Sequence, residues 1–473
     1  MQTLTSGKFL GLRLTLRWKL LMGGLAAFTA WCAMSGHGQS LAPTPPMGWN
    51  SYDAYGLSIT EQEFKANVTV LAGLKQYGWE YAVIDAGWYM QNPAGANLQQ
   101  RKYVSDKNGL LMPVVERFPS AADGEGLKPL ADWVHAHGLK FGIHIMRGIP
   151  KDVVLANVPI ADSSFHAAEA ADVDEGCGWD DGNYGIRDNA AGQAYYDSMF
   201  KLFARWDIDL IKADCISARP FRPTEIRQIA EAIKNSGRPM VLSLSPGPSA
   251  LENAAYLAQY SQTWRASDDH WDLWSRAQNT PGSEFPFGLS EAFDRTEEWI
   301  RYARPGAWPD YDMMPLGWLT PRPGMGEPRE SRLTPDEQRT EFTLWAFARS
   351  PLILGANLTK LDDSMRSLMS NSMLIAVDQR GLDNHPVRNL PAGFEHVRVW
   401  SATVKASAQS TEYFAFFNLD DKPVTLHFSW GQFGRLGKND AFTLSDGEAM
   451  APTAPVDITL PVHGSAVYGL QTE

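Results

Sequence analysis

Asp209-Leu210-Ile211-Lys212-Ala213-Asp214-Cys215 is the stretch from which the fold can be inferred. The apolar residues in its middle are typical of a strand covered on both faces. Lys212 and Asp214 would be costly there unless both point into a polar cleft. Because residues two apart on a strand share a face, the stretch predicts a buried strand that presents Asp214 beside Lys212, which would keep the carboxylate ionised. The alternative is a structural ion pair at a strand end.

Seven further apolar runs alternate with amphipathic stretches, which is the pattern of repeated βα units. Thr60, for example, precedes one such stretch as an N-cap, with Glu63 three residues on, and Gly78 ends it. Eight strand-then-helix units predict an α/β fold, a closed (β/α)8 TIM barrel with its chemistry at the C-terminal strand ends. The predicted strands are 47–52, 81–85, 140–146, 209–214, 240–245, 261–265, 305–314 and 351–355.

Beyond about Pro386 the chain changes to short β-rich runs separated by Asp, Gly and Pro, which predict a small antiparallel β-sandwich. We see no catalytic cluster in these runs. The predicted organisation is a signal segment at 1–40, a catalytic barrel at 41–385 and the C-terminal sandwich at 386–473.

The first 40 residues have the pattern of a secretory signal peptide. Four basic residues up to Lys19 precede a short apolar stretch, residues 20–28, and small and polar residues continue to Ser40. The apolar stretch is short and glycine-rich for a membrane anchor, and an uncleaved anchor is the alternative. We therefore expect a secreted or periplasmic protein without stable membrane insertion.

The charge balance argues against nucleic acid as a partner. Without residues 1–40 the chain has 38 basic and 54 acidic residues, a net charge of −16 that would repel a polyanion. Beyond residue 40 the sequence contains two cysteines, Cys177 and Cys215, and no Cys/His cluster with zinc spacing. A single disulfide between them is left open, as is the oligomeric state.

Polar side chains stand at the predicted C-terminal ends of most strands, where a barrel would bring them to one mouth. Tyr52 and Trp88 would form aromatic walls beside them. Carboxylates from two strands suit a glycosidase, in which one ionised acid attacks the anomeric carbon and the other gives a proton to the leaving oxygen. The polar set is Asp85, His144, Lys212, Asp214, Arg265, Asp269 and Asp312.

Two other classes of function stay open on the residues alone. A metal-dependent barrel hydrolase would need several histidines at strand ends, where the predicted mouth offers His144 and His270. A non-catalytic sugar-binding protein could keep the same pocket without hydrolysing any glycoside. His144 itself could equally be a core histidine whose hydrogen bonds are satisfied.

Five short motifs occur in order along the chain: Pro45-Pro46-Met47-Gly48-Trp49-Asn50, Ile84-Asp85, Ile211-Lys212-Ala213-Asp214, Trp264-Arg265 with Asp269, and Pro305-Gly306-Ala307-Trp308 followed by Asp310-Tyr311-Asp312-Met313. In this order they resemble glycoside hydrolase family 27 over about residues 43–385, and the C-terminal part resembles it in fold order. The family contains α-galactosidases (melibiases), α-N-acetylgalactosaminidases, β-L-arabinopyranosidases and an isomaltodextranase. Each motif is weak alone, whereas the order of all five is specific.

The resemblance implies an α-galactosidase that releases terminal α-D-galactosyl residues from small oligosaccharides or glycosides by a retaining double displacement. It makes Asp214 the nucleophile and Asp269 the acid/base, with Asp268 as the rival for the second role. Four residues match positions that hold sugar hydroxyls and two match positions that line the ring; in that order they are Asp85, Lys212, Arg265, Asp312, Tyr52 and Met313. No metal or organic cofactor is implied.

Departures from the family pattern leave the sugar open. In galactosidases of the family a second aspartate comes after the strand-two aspartate and binds the outer hydroxyls of galactose, whereas this chain has Ala86. A carboxylate hydrogen bond is worth about 1.5–3 kcal/mol, so its loss should weaken selection for the CH₂OH group. L-Arabinopyranose has galactose stereochemistry without that group, and family β-L-arabinopyranosidases also place an apolar residue there. That activity is the alternative.

Two further departures concern the third and fifth strands. His144 stands where the family has a tyrosine, and Ser243-Leu244-Ser245-Pro246-Gly247 lacks the glutamate that helps admit a galactose 2-hydroxyl. Both positions would border the sugar, so both departures affect which sugar is accepted.

Overall fold

Eight parallel strands form one sheet in the computed structural model of the protein. The strands are β1 (Met47–Asn50), β2 (Tyr81–Ile84), β3 (Lys140–Met146), β4 (Leu210–Asp214), β5 (Val241–Leu244), β6 (Thr263–Arg265), β7 (Trp308–Asp310) and β8 (Leu352–Leu354). Neighbours in this sheet have the order β7-β6-β5-β4-β3-β2-β1-β8. Met314, just beyond β7, forms a parallel bridge with Leu354 of β8, so the two ends of the sheet meet and the predicted barrel is confirmed.

The structure describes residues 41–93, 102–278, 286–319, 327–406, 409–435, 442–444, 449–450 and 455–472. The predicted signal peptide at 1–40 lies outside these residues. Within the described ranges, every helix is too short or too polar to cross a membrane.

A helix comes after each barrel strand and covers the outside of the barrel. The first begins at the predicted capping box: Thr60 Oγ1 accepts a hydrogen bond from Glu63 N, and the Glu63 carboxylate accepts one from Thr60 N. These helices are α1 (Glu61–Leu74), α2 (Lys128–Ala136), α3 (Ala190–Arg205), α4 (Pro223–Ser236), α5 (Ala254–Tyr260), α6 (Leu289–Trp299), α7 (Pro335–Phe347) and α8 (Ser372–Arg380). Short helices at Tyr52–Tyr55, Lys151–Leu155, Ala167–Ala170 and Asp363–Met369 lie in the connections.

The insertion after β3 is more ordered than its Asp- and Gly-rich sequence indicated. Three short strands, Ile149–Pro150, Ala171–Asp172 and Asn183–Ile186, pair antiparallel within it. Two of these strands have only two residues, too few to leave a period in the sequence. A second small hairpin joins Trp318–Leu319 to Arg329–Glu330 after β7.

The C-terminal part is antiparallel, as predicted. It contains β9 (Gly381–Pro386), β10 (Val397–Ala406), β11 (Gln409–Asn418), β12 (Val424–Phe428), β13 (Phe442–Leu444), β14 (Ala449–Met450), β15 (Val456–Leu460) and β16 (Ser465–Thr472). One sheet has the order β9-β10-β11-β16-β13-β14, and β12 pairs with β15. Phe416, Phe428 and Trp430 lie in the aromatic core of this part. The antiparallel sheet begins at Gly381, five residues before the boundary we placed at 386.

Gly48 of β1 permits the close approach of β1 to β2. A Cβ atom on Gly48 would lie 2.2 Å from the carbonyl oxygen of Tyr81, and a strand backbone cannot move away as a flexible side chain would. We expect Gly48→Ala to lower the free energy of unfolding by about 1–3 kcal/mol through overpacking, measured by thermal or denaturant unfolding.

The control is Gly73→Ala in α1, where a Cβ would meet nothing within 4 Å. This change should stabilise the protein by about 0.5–1 kcal/mol, because alanine is the better helix former. A Gly48→Ala variant as stable as the parent would show that β1 and β2 do not approach this closely.

Candidate active site

A cavity of about 630 Å³ opens at the C-terminal ends of the barrel strands. Nine of the ten site residues predicted from the sequence line it, and Trp88 is the exception. Those nine are Tyr52, Asp85, His144, Lys212, Asp214, Arg265, Asp269, Asp312 and Met313. The position of the cavity is the one expected for the active site of a (β/α)8 barrel.

Asp85 and Lys212 form one of the ion pairs of the cavity. Lys212 Nζ lies 2.8 Å from Asp85 Oδ2, which also accepts a hydrogen bond from Asn50 Nδ2 at 2.6 Å. Burial alone would raise the pKa of Asp85, but Lys212, His144 and the Ala86 N–H outweigh it and hold that pKa below its ordinary value. The pKa of Lys212 is raised despite its burial, because Asp85, Asp312 and Asp214 surround it. Both groups are therefore charged at neutral pH.

Asp214 finds different partners from those predicted. Lys212 shares its face and lines the same cavity, but the lysine ammonium bonds Asp85. Asp214 Oδ2 instead lies 3.1 Å from His144 Nε2, and its Oδ1 accepts a hydrogen bond from Cys215 N at 2.5 Å. Since a carboxylate only accepts, His144 must carry its donated proton on Nε2. The carboxylate of Asp214 thus has a partner at each oxygen.

Asp269 stands nearer to solvent, with 45% of its side chain exposed. Arg265 Nη2 lies 3.2 Å from its Oδ1 and 2.7 Å from Asp312 Oδ2. The surrounding protein and the carboxylates of Asp312 and Asp214 raise the pKa of Asp269 to about 6, against the lowering influence of Arg265. The cavity thus holds one carboxylate supported by donors and another that retains its proton in mildly acidic solution.

Asp268, the rival for the acid/base role, is committed to other contacts. Its Oδ2 accepts a hydrogen bond from Arg219 Nη2 at 2.5 Å, and its Oδ1 accepts one from Asp269 N at 2.9 Å. Both oxygens of the Asp268 carboxylate are thus occupied by donors within the protein. Asp269 is therefore the better placed of the two to carry a proton.

The chain is similar to known glycosidases over most of its length. Residues 174–380 match the family model described as Melibiase_2, alpha galactosidase A. The chain is 38% identical to a β-L-arabinopyranosidase of glycoside hydrolase family 27 from Geobacillus stearothermophilus, covering 91% of this chain and 97% of that one with a TM-score of 0.82. The chain belongs to glycoside hydrolase family 27.

Other members of the family resemble this glycoside hydrolase over similar lengths. A protein described as a putative α-N-acetylgalactosaminidase from Bacillus halodurans is 36% identical, with 92% of this chain and 100% of that one covered and a TM-score of 0.77. The α-galactosidase A of Cellvibrio japonicus is 27% identical over 447 residues, which are 91% of this chain and 93% of the relative. The descriptions of these relatives thus name three different activities.

Trp88 does not form a wall of the cavity, so this part of the prediction is wrong. Its side chain is fully buried, and its Nε1 donates a hydrogen bond to the carbonyl oxygen of His144 at 2.7 Å. The ring packs edge-on against Tyr89 and Trp206. An indole buries its large apolar face readily when its single N–H finds an acceptor, and here that acceptor is the backbone of β3. Trp88 therefore supports His144 from behind.

Several lining residues escaped the sequence analysis. Trp179 comes from the insertion after β3, Arg219 from the β4–α4 connection, and Trp271 from the loop after β6. Asp53, Leu57 and Met90 complete the wall beside Tyr52 and Ala86. These residues lie outside strand ends, where periodicity gives no signal. Among the described residues, no group of three or more His, Cys, Asp or Glu side chains is arranged to hold a metal ion.

A disulfide between Cys177 and Cys215 places Trp179 at the cavity. Cys215 is the residue after Asp214, so the bond ties the insertion to the neighbour of that carboxylate. Trp179 packs against the bonded cysteines and Met146. The two unassigned cysteines were the one signal in the sequence that could have brought this insertion to the site.

Removing the disulfide tests how far it holds this wall. We expect Cys177→Ala with Cys215→Ala to raise KM for a nitrophenyl glycoside more than it lowers kcat, because Asp214 keeps His144 and its backbone donor. The free energy of unfolding should fall by about 2–4 kcal/mol, since the bond constrains the unfolded chain. Steady-state kinetics and thermal unfolding measure the two effects.

The control is reductant, which should change KM and the unfolding temperature of the parent enzyme but leave the double variant unchanged. An unaltered KM in the double variant would mean that Trp179 keeps its place without the bond.

Proposed function

We propose that this enzyme is a retaining exo-glycosidase for terminal sugars of galactose configuration, with β-L-arabinopyranosides as its preferred substrates. The observation that carries the choice of sugar is Ala86, which lines the cavity directly after the charged Asp85. Of the other lining residues on this side, Leu57 and Met90 are apolar, whereas Tyr52 and Asp53 are polar. Ala86 itself offers no hydrogen bond to a CH₂OH group, and this position therefore suits a ring that lacks the group.

In the proposed mechanism, Asp214 attacks the anomeric carbon while Asp269 gives its proton to the leaving glycosidic oxygen. The bond to the aglycone breaks and a covalent glycosyl ester of Asp214 forms. Asp269, now ionised, takes a proton from the water that attacks the same carbon and frees Asp214. Two inversions give net retention. The donors on Asp214 and the raised pKa of Asp269 support this division of roles.

The remaining charged residues would hold the sugar. Asp85 and Lys212 form a pair of fixed acceptor and donor, and Arg265 with Asp312 forms another. Such charged groups bond hydroxyls strongly in a cavity that excludes water. Tyr52 and Met313 would line the ring, as the family resemblance implies.

An α-galactosidase is the second candidate, because the family model and curated relatives such as those from Cellvibrio japonicus and Oryza sativa carry that description. The identity to those two relatives is 26–27%, against 38% to the β-L-arabinopyranosidase structure. We also propose export, with residues 1–40 as a cleaved signal peptide. The Cys177–Cys215 bond fits an oxidising compartment.

Side-by-side hydrolysis of nitrophenyl β-L-arabinopyranoside and α-D-galactopyranoside tests the sugar. We expect a higher kcat/KM for the arabinoside, and NMR of the first product should show the anomer of the substrate. Ala86→Asp should shift the ratio of the two kcat/KM values toward the galactoside by about 10- to 100-fold, the equivalent of one carboxylate hydrogen bond.

Ala86→Asn is the matched control, since it adds the same bulk without the charge and should shift the ratio less. A parent enzyme that prefers the galactoside would establish the second candidate. Binding detected by thermal shift with neither glycoside hydrolysed would indicate the non-catalytic alternative.

The pH dependence tests the role of Asp269. Because the protonated acid is the active form, kcat/KM should be retained below about pH 6 and fall as the pH rises through the pKa of Asp269. Asp269→Asn should lower kcat/KM for a nitrophenyl glycoside by about 10²- to 10⁴-fold and remove this alkaline limb.

Asp268→Asn provides the comparison, because kcat/KM of this variant should still fall as the pH rises above about 6. If the fall disappeared in Asp268→Asn and persisted in Asp269→Asn, Asp268 and not Asp269 would be the acid.

A further inference from the structure

His270 is the residue after Asp269 and is anchored on three sides. Its backbone N–H donates to Asp312 Oδ2 at 2.8 Å, and its ring Nδ1 lies 3.1 Å from the carbonyl oxygen of Phe287. On the far side of the ring, Nε2 lies 3.1 Å from Glu341 Oε1 of α7. The side chains of His270 and Glu341 are both fully buried. The residue after the acid is therefore among the most firmly held parts of this loop.

The contacts of His270 determine where a proton must lie. A carbonyl oxygen only accepts, so Nδ1 carries a hydrogen and a neutral ring would turn a lone pair toward Glu341. Nε2 and an ionised Glu341 would then repel each other, and a buried carboxylate would have no countercharge. One proton must therefore reside on the pair, either on Nε2 of an imidazolium or on Glu341. Burial raises the pKa of Glu341, and Glu341 raises that of His270 despite its burial, which agrees with this count.

Glu341 has no other role visible among the described residues. It does not line the cavity, and the one ion pair that it forms among the described residues is with His270. A fully buried carboxyl group is costly without a partner, so its presence in the interior of α7 calls for an explanation. The contact with His270 is the one that the geometry offers.

Helix α7 also contacts the other side of the same loop. Trp345, one turn after Glu341, donates a hydrogen bond from Nε1 to the carbonyl oxygen of Asp312 at 3.0 Å. Its ring lies 5.2 Å from the His270 ring. Residues four apart share a helix face, so one face of α7 holds both His270 and Asp312. This helix thereby fixes the loop with Asp269 relative to the carboxylate proposed to bind the sugar.

We propose that Glu341 is a positioning residue for the catalytic acid: by pairing with His270 it fixes the backbone of Asp269 so that its carboxyl group faces the leaving oxygen. This inference rests on the proposed role of Asp269. Glu341 takes no part in bond making itself, and its removal should slow most the step in which the leaving group needs a proton.

The leaving group of the substrate provides the test. A dinitrophenolate departs without protonation, whereas a methyl or sugar aglycone needs the acid. Glu341→Gln keeps the shape of the side chain and removes its charge. We expect kcat/KM to fall by about 10- to 100-fold for the methyl glycoside and by less than about 3-fold for the dinitrophenyl glycoside. The reason is that a displaced Asp269 transfers its proton to the leaving oxygen less efficiently, and only the methyl glycoside needs that proton.

Asp378→Asn is the matched control. Asp378 is a fully buried carboxyl group on the neighbouring helix α8, and its Oδ2 accepts a hydrogen bond from Gln379. Any loss in this variant should be equal for the two substrates. Equal losses in Glu341→Gln would overturn the proposal and leave Glu341 a purely structural residue.

Two further variants keep the test decisive. If Glu341→Gln does not fold, His270→Leu removes the donor that faces Glu341 and should give the same dependence on the leaving group; equal losses there would also overturn the proposal. Asp269→Asn separates this inference from the proposed function. If Asp269→Asn shows no dependence on the leaving group, the acid has been misassigned; if it shows one and Glu341→Gln does not, only the positioning role fails.

Discussion

Pairing of carboxylates with two buried cations is the constraint on which the site depends. A carboxylate in a barrel interior is expensive unless a countercharge or hydrogen bonds compensate it. Lys212 compensates Asp85, and Arg265 compensates Asp312. Asp269, which shares Arg265 with Asp312, keeps a proton more readily, because the surrounding protein and neighbouring carboxylates raise its pKa to about 6. The same causes raise the pKa of Asp310 to about 6 and that of Asp53 well above its usual range. The closeness of a cation and the number of neighbouring carboxylates together influence which acids are ionised and which can donate.

Strand register places these groups. Parallel pairing sets His144 of β3 beside Lys212 of β4, and Met146 beside Asp214. These four residues form two successive layers at the end of the barrel. Strand β4 therefore carries both the cation that pairs with Asp85 and the carboxylate proposed as nucleophile. A shift of β4 by one residue would turn Lys212 and Asp214 away from the cavity together.

Local periodicity and strand direction were enough to predict the barrel and most of its mouth. Buried runs ending in polar residues located eight of the lining residues, the family resemblance added Met313, and the Thr60 capping box marked the start of α1. The ion pairs within the mouth could not be predicted from periodicity or strand direction. Lys212 is two residues from Asp214 but bonds Asp85, 127 positions away, because both point into one interior. The direction of Trp88 depended likewise on a distant acceptor, the carbonyl oxygen of His144.

The insertion after β3 illustrates how a wall outside the strands can still be held firmly. Arg147, at the end of β3, is almost fully buried and donates to Gly176 O at 2.7 Å while pairing with Glu225 of α4. Glu225 in turn accepts a hydrogen bond from the Tyr196 hydroxyl at 2.6 Å. The residue after Gly176 is Cys177, so a hydrogen bond from the buried Arg147 and a covalent bond hold adjacent residues just before Trp179. Ordering a long insertion is opposed by chain entropy, and these two consecutive attachments offset part of that cost where the insertion borders the cavity.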